Sequence, residues 1–169
     1  RAMGHRVGQS SYDQEQVDIA TALMNGAQSN HMEIILPIDV IIADAFANNA
    51  ATKIVPISDI DDGWILMDIG PQTIKLFENH LHAANTVMWN GPMGVAEFSN
   101  FATGTSQMAK ILARRPQGIS IAGGGSTSQM IHDLDLTNSF THVSTGGGAS
   151  LEFLEGKNLP AIKALLDKH

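Results

Sequence analysis

Three strand-like runs in the second half of the chain end in glycine. Thr86-Val87-Met88-Trp89 stops at Asn90-Gly91-Pro92, Ile119-Ser120-Ile121-Ala122 runs into Gly123-Gly124-Gly125, and Phe140-Thr141-His142-Val143-Ser144-Thr145 runs into Gly146-Gly147-Gly148. Between them the apolar period changes: Met108, Ile111 and Leu112 mark one helix, ending near Arg114-Arg115-Pro116, and Met130 and Ile131 mark another. Short strands alternating with amphipathic helices predict a parallel sheet, because only a crossover long enough to hold a helix returns the chain in the same direction. The expected fold class is therefore α/β, a doubly wound parallel sheet with helices on both faces. In such a sheet ligands bind beyond the carboxyl ends of the strands, which is where these glycines fall.

Upstream, residues 11–27 open with a capping-box spacing, Ser11 to Gln14, and carry Val17, Ala20, Leu23, Met24 and Ala27 at helical period. Glu33-Ile34-Ile35-Leu36 reads as a buried strand broken by Pro37 and followed by extended chain through Ile38, Val40, Ile41 and Ile42. Residues 43–62 read as loop and short extended pieces, with Asp59-Ile60-Asp61-Asp62-Gly63 a turn. Gly70-Pro71 starts a helix with Ile74, Phe77, Leu81 and Ala84 on one face, since proline suits the first helical position. Near the end, residues 149–155 form a helix that Gly156 can terminate, and a last helix from Pro160 is expected to bury Ile162, Leu165 and Leu166. Arg1-Ala2-Met3-Gly4-His5 is expected to continue a helix begun outside the sequence. About four strands then remain in the sheet, incomplete at its amino-terminal end and with an exposed edge.

The glycine turns carry the chemistry. Glycine lets backbone approach a phosphate within hydrogen-bond distance, and the helix that follows aims unpaired N–H groups and its positive end at the anion. Ser126-Thr127 and Ser144-Thr145 add hydroxyl donors where those helices begin. The bland reading, tight turns with close helix–strand packing, suits one glycine triplet better than three such strand ends. Neither G-x-x-x-x-G-K-[ST] nor a G-x-G-x-x-G opening a first βαβ unit occurs, which disfavours a Walker-type ATPase and a typical nicotinamide dehydrogenase.

Composition narrows the classes further. The 169 residues, 43% apolar, suffice for one substantial core, and a single domain is expected. No apolar run reaches the ~18 residues needed to cross a bilayer. The absence of cysteine removes disulfides, thiolate metal sites and thiol catalysis and fits a reducing cytoplasm. A net charge of −7 without a basic cluster argues against nucleic acid or an anionic membrane as partner. Small phosphates remain open, because backbone donors do not enter the charge count.

The matching stretches resemble the phosphoglycerate kinase family. They are Leu36-Pro37-Ile38-Asp39, Asp68-Ile69-Gly70-Pro71, Met88-Trp89-Asn90-Gly91-Pro92-Met93-Gly94-Val95, Gly123-Gly124-Gly125 and Ser144-Thr145-Gly146-Gly147-Gly148-Ala149-Ser150-Leu151-Glu152. The resemblance runs through essentially all 169 residues and implies the carboxyl-terminal portion of that family's Rossmann-like nucleotide-binding domain. It implies transfer of a phosphoryl group between 1,3-bisphosphoglycerate and ADP, giving 3-phosphoglycerate and ATP, in glycolysis or carbon fixation, with Mg-ATP and Mg-ADP as nucleotides. Leu66 and Met67 would lie near the adenine. Asn90, Gly91, Pro92, Gly94 and Val95 would line the nucleotide pocket, and Glu97 would reach the ribose hydroxyls. Gly123, Gly124, Gly125, Ser126 and Thr127 would sit at the phosphates, and Ser144, Thr145, Gly146, Gly147 and Gly148 at the phosphate and hinge helix. Gly125, Gly147 and Gly148 are the implied catalytic positions, which suits a reaction governed by positioning and charge neutralisation.

The sequence departs from the family at three places. Ser126 stands where the family has an aspartate that ligates magnesium, Ala96 replaces a phenylalanine before Glu97, and Ser11 stands for an apolar residue near the adenine. The amino-terminal domain that binds 3-phosphoglycerate and supplies a basic patch with an arginine is absent from this sequence, as are the first strands of the nucleotide domain. The 169-residue chain alone is therefore expected to be inactive, 3-phosphoglycerate being reached only through the missing domain. Full-length family members are expected to be monomeric, and the exposed edge here is a surface for self-association. The alternative is a degenerate, non-catalytic nucleotide-binding module or partner-binding fragment of the same fold, which Ser126 favours.

Other groups carry bland readings. His80 and His82 lack a third nearby ligand, Asp59, Asp61 and Asp62 lack an EF-hand spacing, and the methionines and Trp89 are expected in the core. Lys53 and Lys75 are the lysines to check for phosphate contact, with surface exposure the default.

Overall fold

The computed structural model describes residues 1–166 and divides into two compact units. The first comprises Arg1–His80 with Met93–Gly104, and the second Leu81–Pro92 with the chain from Thr105 onward.

The second unit is the alternating half. Strands β4 (Thr86–Asn90), β5 (Ile119–Gly123) and β6 (His142–Ser144) form a parallel sheet in the order β4-β5-β6, with helices α3 (Thr103–Ala113) and α4 (Gly125–Asp133) as crossovers. Of the positions the helical period picked out, Met108, Ile111 and Leu112 of α3 and Ile131 of α4 are buried and Met130 is half-buried. Arg115 fastens the start of β5, donating to Ser120 Oγ at 3.0 Å and to the carbonyl of Ala84. Helix α5 (Gly147–Leu154) is followed by Gly156 at φ +74°, a left-handed position that glycine takes without strain. Helix α6 (Pro160–Leu166) begins at Pro160 as expected, but Ile162, Leu165 and Leu166 are exposed rather than buried.

The first unit is antiparallel. Strands β1 (Asp39–Ala43), β2 (Thr52–Pro56) and β3 (Ile65–Ile69) lie in the order β2-β1-β3. One of the short extended pieces expected within residues 43–62 is thus a paired edge strand. Thr52, Lys53, Ile54 and Pro56 are all exposed, as an edge strand tolerates, so no buried apolar run announces it. The apolar segment Glu33-Ile34-Ile35-Leu36 is irregular extended chain, and the buried strand begins only at Asp39. Ile34 and Leu36 border an open apolar groove of about 560 Å³, together with Val17, Leu23 and Met24 of helix α1 (Gln14–Ser29). Helix α1 starts later than expected because Asp13, not Ser11, is its cap: the Asp13 carboxylate accepts the N–H of Glu15 at 2.9 Å. Residues 1–5 form a turn rather than a helix. Gln9 then runs beside β3, its N–H donating to the Trp64 carbonyl at 2.7 Å, while Ser10 Oγ accepts the N–H of Leu66 at 2.9 Å.

Helix α2 (Pro71–Ala83) takes Pro71 as its first residue, and its initial turn is capped from β1. The Asp39 carboxylate, 2% exposed, accepts the N–H groups of Gln72 and Thr73 and the Thr73 hydroxyl at 2.7 to 3.1 Å. This joins strand to helix through buried, charge-assisted bonds. Replacing Thr73 by valine keeps the volume and removes the hydroxyl, so a loss of about 2 kcal/mol in urea unfolding is expected. A loss under ~0.5 kcal/mol would show that the network does not hold the junction.

Candidate functional site

The strand register brings the glycine ends level. Asn90 pairs with Gly123 and Gly123 with Ser144, so β4, β5 and β6 finish side by side. Their turns then pack backbone on backbone. A Cβ on Gly147 would fall 2.7 Å from Gly124 Cα and 3.1 Å from Asn90 Oδ1, so only glycine permits this approach. Gly124 sits at φ +102° and donates its N–H to Ser144 O at 3.2 Å. Ser128 Oγ donates to the same carbonyl, at 2.9 Å, locking α4 to β6.

The result is an open pocket of about 330 Å³, lined by Asn90, Gly91, Pro92, Gly124, Gly125, Ser126, Thr127, Gly147, Gly148 and Leu151. Helices α4 and α5 both begin at it, and neither N-cap, Gly124 or Gly146, makes a side-chain capping bond. First-turn N–H groups and two positive helix ends therefore face the same space. Thr127 is fully buried and its hydroxyl has no hydrogen-bond partner, a donor whose desolvation a bound acceptor would offset. Gly123 lies beneath the lining. Ser144 lies outside the lining and shapes the turn, its Oγ accepting the Gly146 N–H at 3.2 Å, and Thr145 and Gly146 are exposed outside the lining.

In the first unit, Leu66, Met67, Gly94 and Val95 line a second pocket of about 300 Å³, with Met93, Asp68 and Ile69. The β1–β3 ladder pairs Ile41 with Asp68 and Ile42 with Leu66, leaving Met67 as a bulge residue whose carbonyl accepts the Val95 N–H at 2.8 Å. Glu97 is exposed just beyond this turn, Ala96 is half-buried and Ser11 is exposed. Asp68, quoted above only within a matching stretch, has no role assigned from sequence, where the available signal is a lone acid within an apolar strand. It is 4% exposed, and its carboxylate accepts the N–H groups of Gly104 and Ile69, both at 2.8 Å.

The other candidates stay on the surface. Lys53 pairs with Asp61 at 3.0 Å and lies over the Trp64 ring, and Lys75 pairs with Glu78 at 2.7 Å. Asp62 faces Arg6, Asp59 accepts from Ser58, and His80 and His82 are exposed. Trp89 is buried as expected.

With this geometry in view, the comparisons are specific. The phosphoglycerate kinase family model matches residues 1–157. The cytosolic phosphoglycerate kinase of Nicotiana tabacum is 48% identical over 169 residues, covering 99% of this chain and 42% of that protein. The phosphoglycerate kinase of Pseudothermotoga lettingae is 44% identical over 169 residues, covering 99% of this chain and 42% of that protein. Among solved structures, phosphoglycerate kinase from Coxiella burnetii superposes with a TM-score of 0.89 at 38% identity, covering 96% of this chain and 42% of that one. The Pyrococcus horikoshii OT3 enzyme gives 0.76 at 28% identity over 98% of this chain and 41% of that one. The fold is that of a Rossmann-like α/β chain. The chain belongs to the phosphoglycerate kinase family and spans about two fifths of the length of the curated relatives it matches.

The family relationship implies magnesium, and the donor set can be tested for it. A hard dication favours carboxylate oxygens. The glycine pocket offers an amide, two hydroxyls and backbone, with no carboxylate in its lining. Among the described residues no group of three His, Cys, Asp or Glu is placed to hold a metal ion. The residues present do not fit a protein-held magnesium.

Two predictions follow from these pockets. Gly147→Ala forces a Cβ onto Gly124 and is expected to cost about 1 to 3 kcal/mol in urea unfolding, whereas Gly148→Ala meets nothing within 4 Å and should be neutral or slightly stabilising; equal losses would contradict the packing. Burial pushes the Asp68 carboxyl above its ordinary value of 3.8, against the downward pull of the Gly104 and Ile69 N–H groups. Between that ordinary value and the raised one, the folded chain holds a proton the unfolded chain has released, so this contribution to stability falls as pH rises. Unfolding midpoints measured across this window should slope downward less in Asp68→Asn, and identical slopes would refute the assignment.

Proposed function

We propose that this chain carries nucleotide-handling residues of a phosphoglycerate kinase and that its glycine pocket receives the phosphates of ADP or ATP. The observation that carries this reading is the pocket itself: two uncapped helix starts, Gly124, Gly125, Gly147 and Gly148 backbone, and the unpartnered Thr127 hydroxyl around one opening. Backbone donors in a fixed frame suit a reaction that depends on positioning and on spreading negative charge. Asn90, Ser126 and Thr127 would add side-chain donors, with Gly125, Gly147 and Gly148 at the transferring group. In the first unit, Leu66, Met67, Gly94 and Val95 would face the adenine, and Glu97 the ribose.

The full-length protein would transfer a phosphoryl group between 1,3-bisphosphoglycerate and ADP in the cytoplasm, the location named for the tobacco relative. Among the described residues no helix is long and apolar enough to cross a membrane. Acceptor binding would rest on a domain outside these 169 residues, so the chain by itself would not turn over. Monomeric behaviour is proposed for the full-length protein, with neither nucleic acid nor membrane as partner.

The second reading, a non-catalytic nucleotide-binding module, is favoured by Ser126 and the pocket's lack of a carboxylate. Turnover of ADP with 1,3-bisphosphoglycerate by the full-length protein separates the two, and titrating ADP calorimetrically with and without magnesium tests the donor set. We expect binding that gains less than ~3-fold from the metal, and a gain of ~10-fold or more in Ser126→Asp, because the added carboxylate supplies the favoured oxygen ligand. Absence of ADP binding under every condition would refute the nucleotide reading, and a large magnesium gain in the unaltered protein would refute the donor-set argument.

A further inference from the structure

The segment from Gly94 to Gly104, a loop that ends in the first turn of α3, leaves and rejoins β3 at two adjacent residues. At its start the Val95 N–H donates to the carbonyl of Met67, and at its end the Gly104 N–H donates to the Asp68 carboxylate, each at 2.8 Å. The bulge makes the first bond available, because Met67 has no partner in the β1 ladder. Close packing restrains the second. A Cβ on Gly94 would fall 2.4 Å from Asp68 Oδ1, and one on Gly104 would fall 2.2 Å from the same oxygen, so both ends of the segment press on one carboxylate. Inside the loop, Phe98 donates to Val95 O at 3.0 Å and Phe101 to Phe98 O at 2.8 Å, while Phe101 is fully buried beside Met67 and Ala43. The loop is therefore a compact body moored at two neighbouring points of one strand, with Gly94, Val95 and Glu97 on it.

We infer that Asp68 is a positioning residue for nucleotide binding: it closes the 94–104 loop onto β3 and thereby fixes the turn that presents Gly94, Val95 and Glu97. This rests on the nucleotide reading given above. A buried carboxylate loses solvation, and an apolar residue would fit a strand end more cheaply were packing the only demand. What the carboxylate supplies is an acceptor for the Gly104 N–H, which would otherwise be buried and unpaired. Loosening that end lets the loop sample other arrangements, and a ligand's apparent affinity falls with the population of the competent one.

Asp39 provides an internal control. It is equally buried and accepts three hydrogen bonds, but they fasten helix α2 and do not touch the loop. In the full-length protein, Asp68→Asn and Asp39→Asn are compared for melting temperature, amide hydrogen exchange of residues 94–104, ADP dissociation constant, and nucleotide KM against kcat per folded molecule. Both variants should melt earlier. Only Asp68→Asn should raise exchange in the loop, by ~10-fold or more, and weaken ADP by ~10-fold with the change carried in KM. Unchanged loop exchange would overturn the mooring. Faster exchange with unaltered ADP affinity, or an equal affinity loss in Asp39→Asn, would overturn the positioning role. Failure of the unaltered protein to bind ADP would instead overturn the nucleotide reading, and with it the nucleotide half of this inference.

Discussion

The contact on which the candidate site depends is the approach of Gly147 to Gly124, backbone against backbone, with the Asn90 amide oxygen beside both. No side chain can enter between them. That exclusion lets two helix starts converge on one pocket, and the level strand ends Asn90, Gly123 and Ser144 are what bring the glycines into range. The Ser128 hydroxyl and the Gly124 N–H, both donating to Ser144 O, then hold the two turns in place. The pocket is thus a property of backbone geometry, and its polarity comes from helix ends rather than charged side chains.

How much of this was legible in the sequence differs between the units. Glycine ends on strand-like runs separated by helical periods announce a parallel sheet, because each crossover between parallel strands must be long enough to hold a helix. The antiparallel unit gives weaker signals. Thr52, Lys53 and Ile54 are exposed on an edge strand, so their pairing with β1 leaves no apolar pattern to read. Glu33-Ile34-Ile35-Leu36 fails in the opposite sense: it has the composition of a strand but has no ladder partner among the described residues and lies along the groove beside α1. Ser11 and Asp13 both stand at plausible cap positions, and only the bond from Glu15 decides between them.

The candidate residues divide along similar lines. Gly124 and Gly147, which approach backbone to backbone, fall in the pocket lining together with Gly125, Gly148, Asn90 and Thr127. Ser144, read as a hydroxyl donor, accepts the Gly146 N–H through its Oγ and lies outside the pocket lining. Asp68 has no role assigned from sequence because its partners, Gly104 and Ile69, are amides, and no side-chain motif records a backbone hydrogen bond. Bulge and buried acid together show that the antiparallel unit has its own organised loop, built on β3.

The central claim is that phosphate is held by backbone amides at the two glycine turns. Amide proton–nitrogen correlation spectra of the protein, recorded as ADP is added, test it residue by residue. The account predicts the largest shifts at Gly125, Ser126, Thr127, Gly147 and Gly148, saturating together, while residues of α2 stay fixed. Shifts that spare both glycine turns while ADP binds elsewhere would contradict it.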